Sequence, residues 1–168
     1  MDIEKNIIYE AKKMLLVRYS SFASEIAKAN IEYRTDLKYH TAAADGRNVY
    51  IDPDYFKKLD EEERVFLIAH EFMHNKCGHM YRIKDSNGVM RDLDAWNYAA
   101  DAVTNANLER DGFTISEGYV NRPEAINYSV EEFYEIVMKE REEKRKNSKQ
   151  NDGEGQDGNE AKNRKWPK

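Results

Sequence analysis

The hydrophobic residues of this chain recur with the spacing of an α-helix in four separate stretches. Near the N-terminus, apolar residues stand three or four positions apart with charged residues between them, which predicts an amphipathic helix. Its apolar positions are Ile3, Ile7, Ile8, Ala11, Met14 and Leu15. Further helices are predicted from Asp92 to Arg110 and from Ser129 onward, where Ser129 and Glu132 have the spacing of a capping box.

The fourth stretch predicts the most deeply buried helix of the chain. Asp60 and Glu63 have the spacing of a capping box at its start, and Gly78 is placed to end it. Between them, residues 65–69, 72 and 73 are apolar on nearly every side of the predicted helix. That pattern is typical of a helix surrounded by other elements rather than one lying on a surface.

Two stretches between the first helix and the buried helix have the alternation of β-strands. They are residues 31–35 and 48–52, and the turn signal Asp45-Gly46 lies between them. Pro53 ends the second stretch, because proline cannot donate a hydrogen bond to a neighbouring strand. We therefore predict an α+β fold, in which a small antiparallel sheet packs on the helices.

The apolar pattern stops at Lys139, and the composition changes there. Residues 139–168 contain ten Lys or Arg against seven Asp or Glu, a net charge of +3, together with many Asn, Gln and Gly residues. We predict one ordered domain over residues 1–138 and a charged, disordered tail over residues 139–168. The ordered part carries a net charge of −8, and an acidic surface argues against a nucleic-acid partner.

Several classes of protein are disfavoured by simple features of the chain. Cys77 is the single cysteine, so neither an internal disulfide framework nor a multi-cysteine zinc finger is available. No apolar run approaches the length of about 20 residues that crosses a bilayer. The first residues lack the basic and apolar regions of a signal peptide. We expect a cytoplasmic protein without a membrane partner.

The buried helix carries the motif His70-Glu71-Phe72-Met73-His74, which has the pattern HExxH. Residues four positions apart project from the same face of a helix, so His70 and His74 can offer two imidazole nitrogens to one zinc ion. Glu71 then lies beside the metal, where its carboxylate can accept a proton from an activated water. The sequence therefore predicts a zinc site with Glu71 as the catalytic residue.

Two residues are candidates for the remaining metal ligand. His79 follows His74 by five positions, and a turn at Gly78 can fold it back towards the metal. Asp101 lies on the next helix, in a polar row with Asn97 and Asn105. Residues 97–101 resemble the Glu-x-x-Ala-Asp segment of gluzincins, in which Asp101 matches a carboxylate that orients a histidine. Asp101 is therefore either a ligand or an orienting residue, and both it and His79 stay open.

Several blocks in the same order resemble the putative metallopeptidase domain that in bacterial proteins often precedes a von Willebrand factor A-like domain. The blocks are residues 41–47, 50–56 with Leu59, 67–74 with Gly78 and His79, 96–101 with Asn105, and 128–134. The resemblance covers residues 39–138. It implies a zinc-dependent peptidase with a zincin-like fold. In this chain, the charged tail follows the domain.

The leading hypothesis is a zinc metallopeptidase that acts on a peptide or protein. Glu71 serves as general base and then general acid, and the substrate lies as an extended strand along residues 48–52. The alternative hypothesis is a regulatory or binding module with a closed structural zinc site. That site fills all four positions with His70, His74, His79 and Asp101. The oligomeric state is left open.

Overall fold

The computed structural model describes residues 3–19, 26 and 28–151, and this part of the chain forms a mixed α+β fold. It contains five α-helices, a short 3₁₀ helix at Pro123–Asn127 and one three-stranded sheet. The helices are α1 (Ile3–Arg18), α2 (Pro53–Lys58), α3 (Glu61–Lys76), α4 (Leu93–Arg110) and α5 (Val130–Asn151). The strands are β1 (Asn30–Tyr33), β2 (Ala42–Ala44) and β3 (Asn48–Ile51). None of the described helices combines the length and the apolar character needed to cross a membrane.

The predicted helices are confirmed, and local capping explains where α3 and α4 begin. At the start of α3, the Asp60 carboxylate accepts a hydrogen bond from the Glu63 amide at 2.9 Å, and Glu63 accepts one from the Asp60 amide at 2.8 Å. Asp92 caps α4 by accepting from the Ala95 amide at 2.8 Å. Each cap satisfies backbone donors that the first helical turn leaves without partners.

The sheet differs from the all-antiparallel arrangement expected from the sequence. Its strand order is β1-β3-β2, with β3 in the centre. The Asp45-Gly46 turn does form a hairpin, and Gly46 adopts the positive φ of 93° that such a turn favours. That hairpin joins β2 to β3, however, while β1 pairs with β3 in parallel. The expectation missed β2 because its three alanines carry no alternating pattern.

Two hydrophobic clusters form the core, and the packing of α3 against α4 joins them. The first cluster lies between α1, the sheet and α3, with Leu15, Val49 and Phe66 among its fully buried side chains. The second lies between α4, the 3₁₀ helix and α5, with Trp96 and Phe133 fully buried. The polar face of α3 therefore meets α4 at the boundary between two apolar clusters.

The last helix extends beyond the expected end of the ordered domain. Residues 139–151 are helical, so the expectation of disorder from residue 139 is wrong for that segment. Two ion pairs anchor it: Glu140 accepts from Arg122 at 2.8 Å, and Arg141 donates to Asp92 at 2.9 Å. Lys, Glu and Arg are also strong helix formers, so the helix continues without an apolar pattern. Residues 152–168 of the expected tail lie outside the described residues, and the domain boundary stays a prediction.

Candidate metal centre

Two imidazoles and one carboxylate converge where α3 meets α4. The i, i+4 spacing on α3 brings Nε2 of His70 to 3.1 Å from Nε2 of His74. Asp101 projects from α4 towards the same point, with Oδ1 at 3.2 Å from His74 Nε2 and 3.7 Å from His70 Nε2. The structure therefore brings together three of the four metal ligands considered from the sequence. One atom from each of these three residues could bind the same metal ion.

The spacing of these three atoms fits one tetrahedrally coordinated ion. Metal–ligand bonds of about 2.0–2.2 Å at tetrahedral angles separate neighbouring ligand atoms by roughly 3.3 Å. The observed separations are 3.1, 3.2 and 3.7 Å. His70 is buried, and His74 and Asp101 are half-buried. Their donor atoms thus have the spacing of one face of a tetrahedron, and no fourth His, Cys, Asp or Glu among the described residues joins the group.

Asn105 fixes the orientation of the His70 ring. It lies one turn after Asp101 on α4, is fully buried, and places Oδ1 at 2.8 Å from Nδ1 of His70. Its own Nδ2 donates to the Val120 carbonyl at 2.8 Å, which identifies the oxygen as the atom that faces the imidazole. Nδ1 of His70 therefore donates its hydrogen to Asn105, and Nε2 of the neutral ring carries the lone pair that a metal requires.

His79 lies behind His74 rather than among the three converging atoms. Its Nδ1 is 3.0 Å from Nδ1 of His74, whereas Nε2 of His74 faces Asp101. His79 is buried, with 4% of its surface exposed. Burial, the neighbouring His74 and Arg82 together lower the pKa of His79 to about 3. The side chain is therefore a neutral imidazole near pH 7.

Glu71 lies beside the cluster with a carboxylate that has no hydrogen-bond partner among residues 3–19, 26 and 28–151. It is half-buried, and burial raises the pKa of its carboxyl group, although His70 and His74 act in the opposite direction. A carboxylate that is neither paired nor fully solvated is a suitable acceptor for a proton.

The charges of the cluster stabilise one another. Burial disfavours the charged form of His70, but Asp101 together with Glu71 and Asn105 raises the His70 pKa above its ordinary value. Burial likewise disfavours the charge of Asp101, yet the imidazoles of His70 and His74 hold its pKa below the ordinary range. Positive charge is therefore favoured at this point, whether protons or a cation supply it.

Asn105 and Tyr119 lie beside the site, and the sequence alone places neither of them there. Asn105 belongs to the polar row of α4, but its contact with His70 depends on how α3 packs on α4. The ring of Tyr119 lies 5.7 Å from the His70 ring and 4.8 Å from that of Phe66. Burial and the nearby Tyr55 raise the Tyr119 pKa. Tyr119 is one of eleven tyrosines, and no motif distinguishes it in the sequence.

Comparison with known proteins gives one family match. A family model described as "Putative metallopeptidase domain" matches residues 5–167, which is nearly the whole chain. No curated protein and no solved structure matches the chain. The zincin-like part of the expected fold therefore stays a prediction, while the α+β class is confirmed.

The role of Asn105 leads to a prediction about metal affinity. Replacing Asn105 with Ala leaves Nδ1–H of His70 and the carbonyl of Val120 without partners. We expect Asn105→Ala to cost about 1–3 kcal/mol of unfolding free energy. We also expect it to weaken zinc binding by roughly 10–100-fold. Urea unfolding and competitive zinc titration measure the two effects.

The matched control is Asn107→Ala. Asn107 lies on the same helix, but its amide donates to the Val103 carbonyl one turn earlier. Asn107→Ala should keep the zinc affinity of the parent protein. Equal zinc affinity in both variants would contradict the role assigned to Asn105.

Proposed function

The chain belongs to the family of the putative metallopeptidase domain, and from that premise we propose that it is a zinc-dependent peptidase. One observation carries this proposal. Nε2 of His70, Nε2 of His74 and Oδ1 of Asp101 lie 3.1–3.7 Å apart. Beside them lies Glu71, whose carboxylate has no hydrogen-bond partner among the described residues. Three protein ligands, an available fourth position and a neighbouring base are the components of a catalytic zinc site.

The donor set favours zinc over the alkaline-earth cations. Two imidazole nitrogens and one carboxylate oxygen suit zinc, whereas Mg²⁺ and Ca²⁺ prefer sites made of oxygen atoms. His70, His74 and Asp101 would hold the ion. When bound, it lowers the pKa of water and polarises the carbonyl of the scissile peptide bond.

Glu71 performs the proton transfers of the proposed reaction. Its carboxylate accepts a proton from the attacking water and then delivers that proton to the nitrogen of the departing amine. Burial supports this role, because it raises the pKa of Glu71 above the ordinary value of a carboxyl group. The absence of a hydrogen-bond partner in the described part of the chain leaves the carboxylate free for the transfer.

The position of His79 favours the peptidase over the closed structural site. A closed site needs a fourth protein ligand on the same face as the other three. His79 instead places Nδ1 against the opposite nitrogen of the His74 ring. The fourth corner of the tetrahedron is thus not taken by any of the four residues considered from the sequence.

The sheet offers an extended peptide a different strand from the one expected. Four of the expected residues, 48–51, form the central strand β3. Both sides of β3 already pair with β1 and β2, so that expectation is wrong. Strand β2 lies at an edge of the sheet, and it packs against α3. We propose β2 as the strand that pairs with the substrate backbone.

The pairing of β2 with β3 shows which backbone groups of β2 face outward. Asp52 N–H donates to the Thr41 carbonyl, and Asp45 N–H donates to the Asn48 carbonyl. Residues of an antiparallel pair alternate between hydrogen-bonded and non-bonded positions. Thr41, Ala43 and Asp45 therefore point their backbone groups towards β3. Ala42 and Ala44 direct theirs away from the sheet.

Asn75 connects this edge to the metal centre. It directly follows His74 on α3, and its Oδ1 accepts from the Gly46 amide at 2.6 Å. Its Nδ2 donates to the Asn48 carbonyl at 3.0 Å. The β2–β3 turn is thereby fixed to the end of α3 that carries the metal ligands. A peptide on the outer edge of β2 would be held at a set distance from the site.

The proton-transfer role of Glu71 is tested by Glu71→Gln. The amide keeps the size of the side chain but cannot accept the proton, so we expect peptide hydrolysis to fall at least about 100-fold. Zinc content should stay at one ion per chain. Cleavage is measured on a library of fluorogenic peptides, and zinc by elemental analysis.

Glu61→Gln is the matched control, since Glu61 is an exposed residue in the first turn of the same helix. It should keep the parent activity. Glu71→Gln protein that cleaves as fast as the parent would rule out the proposed mechanism.

The proposed role of β2 is tested at Ala44, whose N–H faces away from β3. Ala44→Pro removes this donor without removing a bond between β2 and β3. We expect KM for peptides to rise several-fold while zinc affinity stays unchanged. Ala44→Ser, which keeps the N–H, should retain the parent KM. If both variants have the parent KM, the substrate does not pair with β2.

A further inference from the structure

We propose that His79 is a positioning residue, which holds His74 in the tautomer that binds the metal by accepting a hydrogen bond from it. The bond joins Nδ1–H of His74 to Nδ1 of His79. The proposal rests on the metal site of the proposed function. It assigns His79 a place behind a ligand rather than a place among the ligands.

The first argument comes from the two nitrogens of the His74 ring. Nε2 faces His70 and Asp101, so it must carry a lone pair when a metal is held there. The hydrogen of the neutral ring is then on Nδ1. The atom found opposite Nδ1 is Nδ1 of His79 at 3.0 Å, which is a normal length for a hydrogen bond.

A donor at His74 requires an acceptor at His79. Nδ1 of His79 must therefore be the unprotonated nitrogen of a neutral ring, with its hydrogen on Nε2. This assignment gives the two proposed histidine ligands equivalent partners. Nδ1 of His70 donates to an amide oxygen of Asn105, and Nδ1 of His74 donates to an imidazole nitrogen of His79. Such partners fix the tautomer and the ring orientation of a metal ligand.

The backbone around His79 is arranged to hold its ring in this place. Gly78 has a φ of 62°, which reverses the chain directly after α3. The amide of His79 then donates to the His74 carbonyl at 3.1 Å, and its carbonyl accepts from the Trp96 indole at 3.1 Å. Trp96 is fully buried on α4, so His79 is fixed to both helices that form the site.

The rival role for His79 is that of a metal ligand. To reach the ion, its ring would have to give up the contact with Nδ1 of His74 and move around the His74 ring. The His79 side chain is buried, and its Nδ1 contacts Nδ1 of His74. Its main-chain carbonyl is held by the Trp96 indole. The observed geometry thus favours the orienting role.

The experiment compares His79→Asn with His79→Leu in the full chain. Asn and Leu have the same branched shape, but only Asn carries an oxygen close to the place of Nδ1. We expect His79→Leu to weaken zinc binding by roughly 10–100-fold, and His79→Asn to restore most of that loss. In both variants, the visible spectrum of the Co²⁺-substituted protein should keep the intensity of the parent, because no ligand has been removed.

A second measurement detects the hydrogen bond itself. In the zinc-loaded parent protein, ¹⁵N NMR should show Nδ1 of His74 protonated and a scalar coupling between Nδ1 of His74 and Nδ1 of His79. Such a coupling passes only through a shared hydrogen bond. It reports on the contact and does not depend on enzymatic activity.

Three results would overturn the proposal. The first is a Co²⁺ spectrum that changes equally in both variants, which would make His79 a ligand. The second is parent zinc affinity in His79→Leu. The third is a zinc-loaded parent protein with Nδ1 of His74 unprotonated. The second and third results leave the proposed peptidase function standing. The first would give the site a fourth protein ligand and would therefore count against that function as well. A parent protein that binds no zinc overturns both proposals.

Discussion

The contact between α3 and α4 is the constraint on which the rest of the site depends. Helix α3 brings His70 and His74 to one face, but the third donor atom and the orienting amide both come from α4, as Asp101 and Asn105. Buried polar groups are costly unless they have partners. The interface meets this requirement because its ionisable groups face one another. The apolar clusters on both sides then hold the two helices at the spacing that three metal ligands need.

Metal affinity at such a site depends on which nitrogen of each imidazole carries the hydrogen. The structure provides a separate acceptor for each ring, Asn105 for His70 and His79 for His74. Gly78 and Trp96 position the second acceptor. Glu71 differs from these residues because no hydrogen bond in the described part of the chain engages its carboxylate. In the proposed peptidase, firmly held ligands would therefore stand beside a base that is available to the substrate.

Local features of the chain were predictable from the sequence, whereas features that depend on distant contacts were not. The HExxH spacing and the capping residues Asp60, Asp92 and Ser129 depend on one or two helical turns, and these predictions of secondary structure are confirmed. The order of strands in the sheet depends on pairings across the chain, and three alanines gave no sign of β2. Helix α5 continues past residue 139 because Arg122 and Asp92 anchor it, and both contacts are remote in sequence.

The proposed function requires two imidazoles and one carboxylate to hold a catalytic zinc ion. A crystal structure of the zinc-loaded protein, with the ion located by anomalous scattering, would show this arrangement. We expect one ion bound by Nε2 of His70, Nε2 of His74 and Oδ1 of Asp101, with solvent in the remaining position. An ion whose fourth ligand is the His79 side chain, or the absence of an ion at this place, would contradict it.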